Sequence, residues 1–191
     1  MPDGISLEDE LALAGRLADA AWSAIRPHFR ALNAVDNKAQ ELAPSTGRPK
    51  PSAAPAIPAS PDFDPVTEGD RAAERAIRAI LQAERPHHGV TGEEYPETPT
   101  ASGYRWLIDP IDGTRAFVAG LPVWTTLISL VGPDDVPIIG IIDQPVIGER
   151  YIGWPGGAEL HTSGARTPIH VSACNDLRRA TIATTDPFIL S

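Results

Sequence analysis

The sequence predicts an α+β protein built in layers, because helical periodicity fills the chain up to Arg85 and strand-like runs fill the stretch after Tyr104. No internal repeat divides it. With 191 residues and 20.3 kDa, the chain is long enough to bury an ordinary hydrophobic core. Its net charge of -9 and pI near 4.9 oppose broad contact with nucleic acid or an anionic membrane, so neither is expected as a partner. Cys174 is the single cysteine and reads as a small buried or half-buried hydrophobe, because no basic cluster adjoins it to activate a thiol. A chain without internal disulfides fits a reducing compartment. No apolar run is long enough to span a bilayer, and residues 1–30 lack the basic-then-apolar pattern of an export leader. A cytoplasmic location is expected.

Residues 6–29 predict the first helix: Leu7, Leu11, Ala14, Ala18, Ala21, Ile25 and Phe29 recur at three- and four-residue steps, and Ser6 with Asp9 resembles a capping box. Pro27 ends or kinks it. Residues 42–62 are rich in Pro, Ala and Ser and lack periodicity, which predicts an extended, mobile surface insertion. Thr67 and Asp70 read as an N-cap pair, followed by the apolar stripe Ala73, Ala76, Ile77, Ile80 and Leu81 of a helix ending near Arg85 and Pro86. His87 and His88 then read as a surface turn. Strands are predicted at 104–108, 125–131, 138–143 and 150–154, the middle two antiparallel across the turn at Gly132, Pro133, Asp134 and Asp135. A further pair, 158–160 and 168–171, is joined by Thr162, Ser163 and Gly164. Trp106 and Trp124 are assigned to the core.

The stretch from Trp106 to Thr114, WLIDPIDGT, sets Asp109 and Asp112 where an apolar strand gives way to a turn. Pro110 cannot donate to a sheet ladder and Gly113 tolerates unusual dihedrals, so the strand is expected to stop near Asp109, with Thr114 opening a short helix over 115–119. That turn gathers Asp109, the Ile111 carbonyl and Asp112, while the Gly113 and Thr114 amides offer a helix N-terminus to a phosphate. Upstream, Glu93 and Glu94 follow Gly92, and Asp64 opens an earlier motif. If Glu93, Asp109 and Asp112 converge, each pair roughly 4 Å apart costs about 4 kcal/mol of repulsion at an effective dielectric near 20. A hard divalent cation removes that cost, and Mg²⁺ suits an all-oxygen set better than Zn²⁺. Taken alone, Asp-x-x-Asp-Gly also serves as ordinary turn chemistry, each carboxylate accepting from nearby amides.

In combination and in this order, DPVTEGD from Asp64, GEE from Gly92 and DPIDGT from Asp109 resemble the inositol monophosphatase-like family of Mg²⁺-dependent, lithium-sensitive phosphomonoesterases. The run from Arg115 to Gly153 looks most like its histidinol-phosphate phosphatase branch. The resemblance implies a layered αβαβα sandwich, here with the second half incomplete. It implies one Mg²⁺ held by Glu93, Asp109 and the Ile111 carbonyl, and a second shared by Asp109 and Asp112, in a site of two or three ions. It also implies that Asp64, Thr114 and Glu93 orient or deprotonate the attacking water, and that the Gly113 and Thr114 amides hold the phosphate. The activity so implied is hydrolysis of L-histidinol phosphate to L-histidinol and phosphate, a step of histidine biosynthesis. Inositol 1-phosphate or another sugar or nucleotide phosphate is the alternative substrate, and an inactive metal-binding or interaction fragment the alternative function. The family's dimerising habit implies a homodimer.

Lys38 matches a lysine that the family places near the metals, or is an exposed lysine beside the insertion. Glu94 reads as a supporting or solvated acid and Arg115 as solvated. Family members continue into a second half with a Trp-Asp metal ligand, whereas this sequence stops at Ser191, so a truncated chain and a weakened second metal site are expected. Asp186 reads as a turn acid before Pro187. The organisation expected is therefore a helical segment at 1–41, the insertion at 42–62, a metal-binding α+β core at 63–155, and the start of a second half at 156–191.

Overall fold

The structure is a computed structural model that describes residues 6–31, 35–37 and 65–181. The 42–62 insertion, Lys38, Asp64 and Asp186 lie outside the described residues. Helix α1 (Leu7–Ile25) begins where the Ser6 hydroxyl accepts the Asp9 N–H, the first half of the capping box only. It stops short of the periodicity-based limit at Phe29, because Pro27 has no N–H to donate and residues 26–30 turn instead. Strands β1 (Val35–Asn37) and β2 (Pro65–Thr67) pair antiparallel, and β2 runs straight into helix α2 (Glu68–Glu84). There the full capping box forms: Thr67 accepts the Asp70 N–H, and Asp70 accepts the Thr67 N–H at 2.8 Å.

The remaining strands make one seven-stranded sheet in sequence order. They are β3 (Gly89–Thr91), β4 (Arg105–Asp112), β5 (Thr125–Val131), β6 (Pro137–Gln144), β7 (Glu149–Trp154), β8 (Gly157–Thr162) and β9 (Ala165–Pro168). β3 lies parallel to β4, and every later neighbour is antiparallel, including the predicted β5–β6 and β8–β9 pairs. β9 starts upstream of the predicted 168–171, since the turn is so tight that Thr162 already faces Ala165. The sheet continues without a break across residue 155.

Side chains alternate across the sheet as the pleat requires. Trp106, Ile108, Ile128, Leu130, Ile139 and Ile141 are buried in the same core cluster as Leu13, Leu17 and Ile25 of α1 and Ala73, Ile77 and Leu81 of α2. Leu107 and Ile142 alternate with them and stay 36% and 48% exposed, which marks the sheet's opposite, open face. After β4 a short helix α3 (Thr114–Val118) is anchored by Phe117, whose ring meets Trp124 edge-on at 5.2 Å; Phe29 and Trp22 complete the aromatic cluster. Both tryptophans assigned to the core, Trp106 and Trp124, are buried there. No helix among the described residues is long and apolar enough to cross a membrane.

Two expectations are corrected. Cys174 is exposed, because it follows the last strand in an irregular segment rather than entering the core. His88 is only 6% exposed: the chain turns inward at the end of α2, so that His87 stays outside while His88 stacks on Tyr104 and its Nδ1 accepts the Trp106 Nε1–H at 3.1 Å. Burial chiefly, then the positive charge of Arg85 and His87, pushes its pKa down to about 4. Because the folded value lies below the unfolded one, the neutral imidazole's contribution is complete above the unfolded pKa and is lost as pH falls from about 6.5 to about 4. That contribution is about 3 kcal/mol. An NMR titration should find the His88 ring neutral down to near pH 4; a His88 midpoint near 6.5 would contradict the buried acceptor role.

Candidate active site

Strand β4 does not end at Asp109 as the sequence suggested; it extends to Asp112 through a register shift between these two aspartates. Pro110 is tolerated because such an irregularity needs no ladder donor from it. The Pro110 carbonyl accepts the buried Thr126 hydroxyl at 2.8 Å, so the polar group displaced by the irregularity is satisfied from β5. Beyond it the Thr114 hydroxyl donates to the Ile111 carbonyl at 3.0 Å, and the Thr125 hydroxyl to Asp112 Oδ2 at 3.3 Å. Gly113 caps α3 at φ 91°, in the left-handed region where a side chain is strained, and a Cβ there would sit 3.4 Å from the Trp124 backbone. The predicted turn is thus present, although α3 starts at Thr114 and ends at Val118 rather than covering 115–119.

Asp109 projects from the open face at this strand end. Its pKa is raised to about 7, first by burial and then by the negative charges of Glu93, Asp112 and Asp70, against a lowering hydrogen bond from the Ile111 N–H. The charges of Glu93, on the connection between β3 and β4, and of Asp112, at the end of β4 itself, thus reach Asp109, with the Ile111 carbonyl and Thr114 in the adjoining turn. Glu93 and Asp109 also border one cavity of about 640 Å³ whose walls are largely apolar, with Leu127, Ile142 and Tyr151 among them. Among the described residues, no three His, Cys, Asp or Glu side chains are gathered closely enough to hold a metal ion by themselves. Asp64, expected to help activate water, lies outside the described residues.

Two acids that sequence reasoning passed over also face this region. Asp70, read only as a cap, is 4% exposed; its Oδ2 accepts both the Thr67 N–H and, at 2.6 Å, the Thr67 hydroxyl, and its charge reaches Asp109. Glu74 is fully buried on the same side of α2. The signal was available: residues 70, 73, 74, 77 and 81 share one face of a helix, so two acids stand within the apolar stripe. The chemistry on offer is that of hard oxygen donors whose charges act on one another at a strand end, a type of group suited to a divalent cation.

The family model for the inositol monophosphatase family matches residues 7–188. The chain is 37% identical over 178 residues to a histidinol-phosphatase of Mycobacterium tuberculosis, a match spanning 92% of this chain and 60% of that protein. It is 38% identical over 154 residues to a histidinol-phosphatase of Streptomyces coelicolor, spanning 79% of this chain and 48% of that protein. A solved inositol monophosphatase from Zymomonas mobilis superposes with a TM-score of 0.62 at 38% identity, over 89% of this chain and 55% of that one. The chain thus spans between 48% and 60% of the length of these relatives.

Gathering these acids should cost stability. With its folded pKa above the ordinary 3.8, ionised Asp109 destabilises the metal-free fold; the penalty is complete above about pH 7 and fades as pH falls toward 4. Asp109→Asn in chelator should therefore raise urea-unfolding stability at pH 8 by about 1–2 kcal/mol, after allowance for solvent screening, with the gain vanishing near pH 4. Equal stability of the two proteins at pH 8 would show that neither burial nor the neighbouring carboxylates disfavour the charge on Asp109.

Proposed function

The chain belongs to the inositol monophosphatase family, and on that premise we propose that its acidic site serves a Mg²⁺-dependent phosphomonoesterase whose substrate is L-histidinol phosphate. The observation that carries the reading is Asp109, raised to about 7 in the company of Glu93, Asp112 and Asp70 at the end of β4. The donor set fits Mg²⁺: it is all oxygen, and it includes a carboxyl group whose ionised form needs a counter-charge. Glu93, Asp109 and the Ile111 carbonyl would hold one ion, and Asp109 with Asp112 a second. When bound, Mg²⁺ compensates the charge of the carboxylates and of the phosphate under attack.

The chain's own groups supply positioning. The Thr114 hydroxyl spends its proton on the Ile111 carbonyl, which leaves an oxygen lone pair free to accept from a water molecule aimed at phosphorus. Glu93 and Asp64 would share the orientation and deprotonation of that water, and the Gly113 and Thr114 amides would grip the phosphate oxygens. L-histidinol and phosphate leave. Support for this substrate comes from the names of the two relatives at 37% and 38% identity. The same reading carries a place in histidine biosynthesis, a cytoplasmic location, lithium sensitivity and a homodimer.

Two rival readings have an observation each. The likeness to a solved inositol monophosphatase at 38% identity favours inositol 1-phosphate as substrate. The acids, which do not close into a metal-holding set among the described residues, favour an inactive metal-binding or interaction fragment over an enzyme. Phosphate release measured with Mg²⁺ should be faster from L-histidinol phosphate than from inositol 1-phosphate, should stop on chelation, and should fall by at least about a hundredfold in Asp109→Asn. Equal or better turnover of inositol 1-phosphate rejects the substrate. Calorimetric Mg²⁺ binding without any hydrolysis supports the fragment.

A further inference from the structure

Glu93 lies on the irregular connection between β3 and β4, so its direction depends on whatever pins that connection. The pin is a buried ion pair on α2. Glu74 Oε1 accepts from Arg78 Nε at 2.8 Å, and Glu74 Oε2 accepts the Glu94 N–H at 2.8 Å. A Cβ on Gly92 would fall 2.2 Å from Glu74 Oε1, so the backbone on the other side of Glu93 rests directly on the same carboxylate. Arg78 extends the grip, with Nη1 on Thr98 Oγ1 at 3.0 Å and Nη2 on the Tyr95 carbonyl at 3.3 Å. Arg75 adds a bond to the Tyr95 hydroxyl at 2.7 Å.

We infer that Glu74, braced by Arg78, is a positioning residue for the reaction: its carboxylate clamps Gly92 and Glu94 so that Glu93 between them is presented to Asp109. This rests on the phosphatase reading given above. A buried ion pair gains little net stability over apolar packing, so its use here is better explained by the hydrogen bonds it directs at the loop. Outer residues that orient a metal ligand commonly govern affinity by about 10- to 100-fold.

The test uses two variants acting from opposite sides. Glu74→Gln keeps the shape but puts a donor NH2 in place of one of the two oxygens, so either the Arg78 or the Glu94 N–H loses its acceptor. Gly92→Ala keeps the ion pair and pushes the loop off it. In each, the Glu94 amide should lose at least about tenfold of its hydrogen-exchange protection, and Mg²⁺ affinity measured by calorimetry should fall about 10-fold or more, with KM for L-histidinol phosphate within about twofold. The effects of the two changes should be less than additive in the double variant. A merely structural role would lower Tm while leaving the Mg²⁺ affinity of the folded protein unchanged, and that result overturns the proposal, as does unchanged Glu94 protection. A parent chain that binds Mg²⁺ and hydrolyses nothing, with affinity still lost in both variants, defeats the phosphatase reading and leaves the clamp standing. A parent chain without Mg²⁺ affinity defeats both.

Discussion

Carboxylates gathered round a single strand end repel one another, and the surroundings of β4 keep them there regardless. Nothing in the mutual interaction of Glu93, Asp109, Asp112 and Asp70 favours the arrangement, since each neighbour raises the pKa of Asp109. The positions are therefore imposed through the backbone. Thr126 satisfies the Pro110 carbonyl, Thr114 satisfies that of Ile111, and the left-handed Gly113 turns the chain into a helix whose Phe117 is locked against Trp124. Each of these contacts acts on main chain or core, where packing is dense enough to resist a few kcal/mol of electrostatic strain.

Helix α2 has two duties that compete for the same face. Ala73, Ile77 and Leu81 bury it in the core, while Asp70 and Glu74 occupy positions on that face which apolar residues would fill more cheaply. The conflict is resolved by pairing. Asp70 is absorbed into the capping box with Thr67, and Glu74 into the ion pair with Arg78. Polar residues inside an apolar stripe are thus compatible with a stable helix because both have a local partner, and the charge of Asp70 still reaches Asp109.

Periodicity made most of the scaffold legible. Both long helices, the β5–β6 and β8–β9 pairs and the core tryptophans follow from apolar spacing and turn residues, which are local signals. The expected site acids Glu93, Asp109 and Asp112 were marked out by short motifs beside glycine or proline, and the charges of Glu93 and Asp112 reach Asp109 in the structure. What escaped depends on contacts distant in sequence. Pro110 looks like a strand terminator until the Thr126 hydroxyl is known to donate to its carbonyl from the neighbouring strand. His88 looks like a turn residue until Tyr104 and Trp106 close over it, and Cys174 looks like a buried or half-buried hydrophobe until it is found exposed beyond the last strand of the described residues. Glu74 was visible only as an acid within an apolar stripe, and its role was not, because its partners Gly92 and Glu94 belong to another segment.

The use of an ion pair at Glu74 and Arg78, rather than two apolar side chains, follows from what the loop presents to the helix. The Glu94 N–H needs an acceptor and the Tyr95 carbonyl needs a donor, and both are part-buried where water is scarce. A carboxylate answers the first and a guanidinium the second, each neutralising the other's charge. Apolar replacements would pack as well but would leave both backbone groups unpaired, at about 1–3 kcal/mol apiece. The loop would then relieve that cost by moving outward toward solvent, and Glu93 would move with it. The same two side chains that satisfy the backbone therefore also fix the direction of the acid, so burial of charge on α2 and presentation of charge at Asp109 are one structural solution.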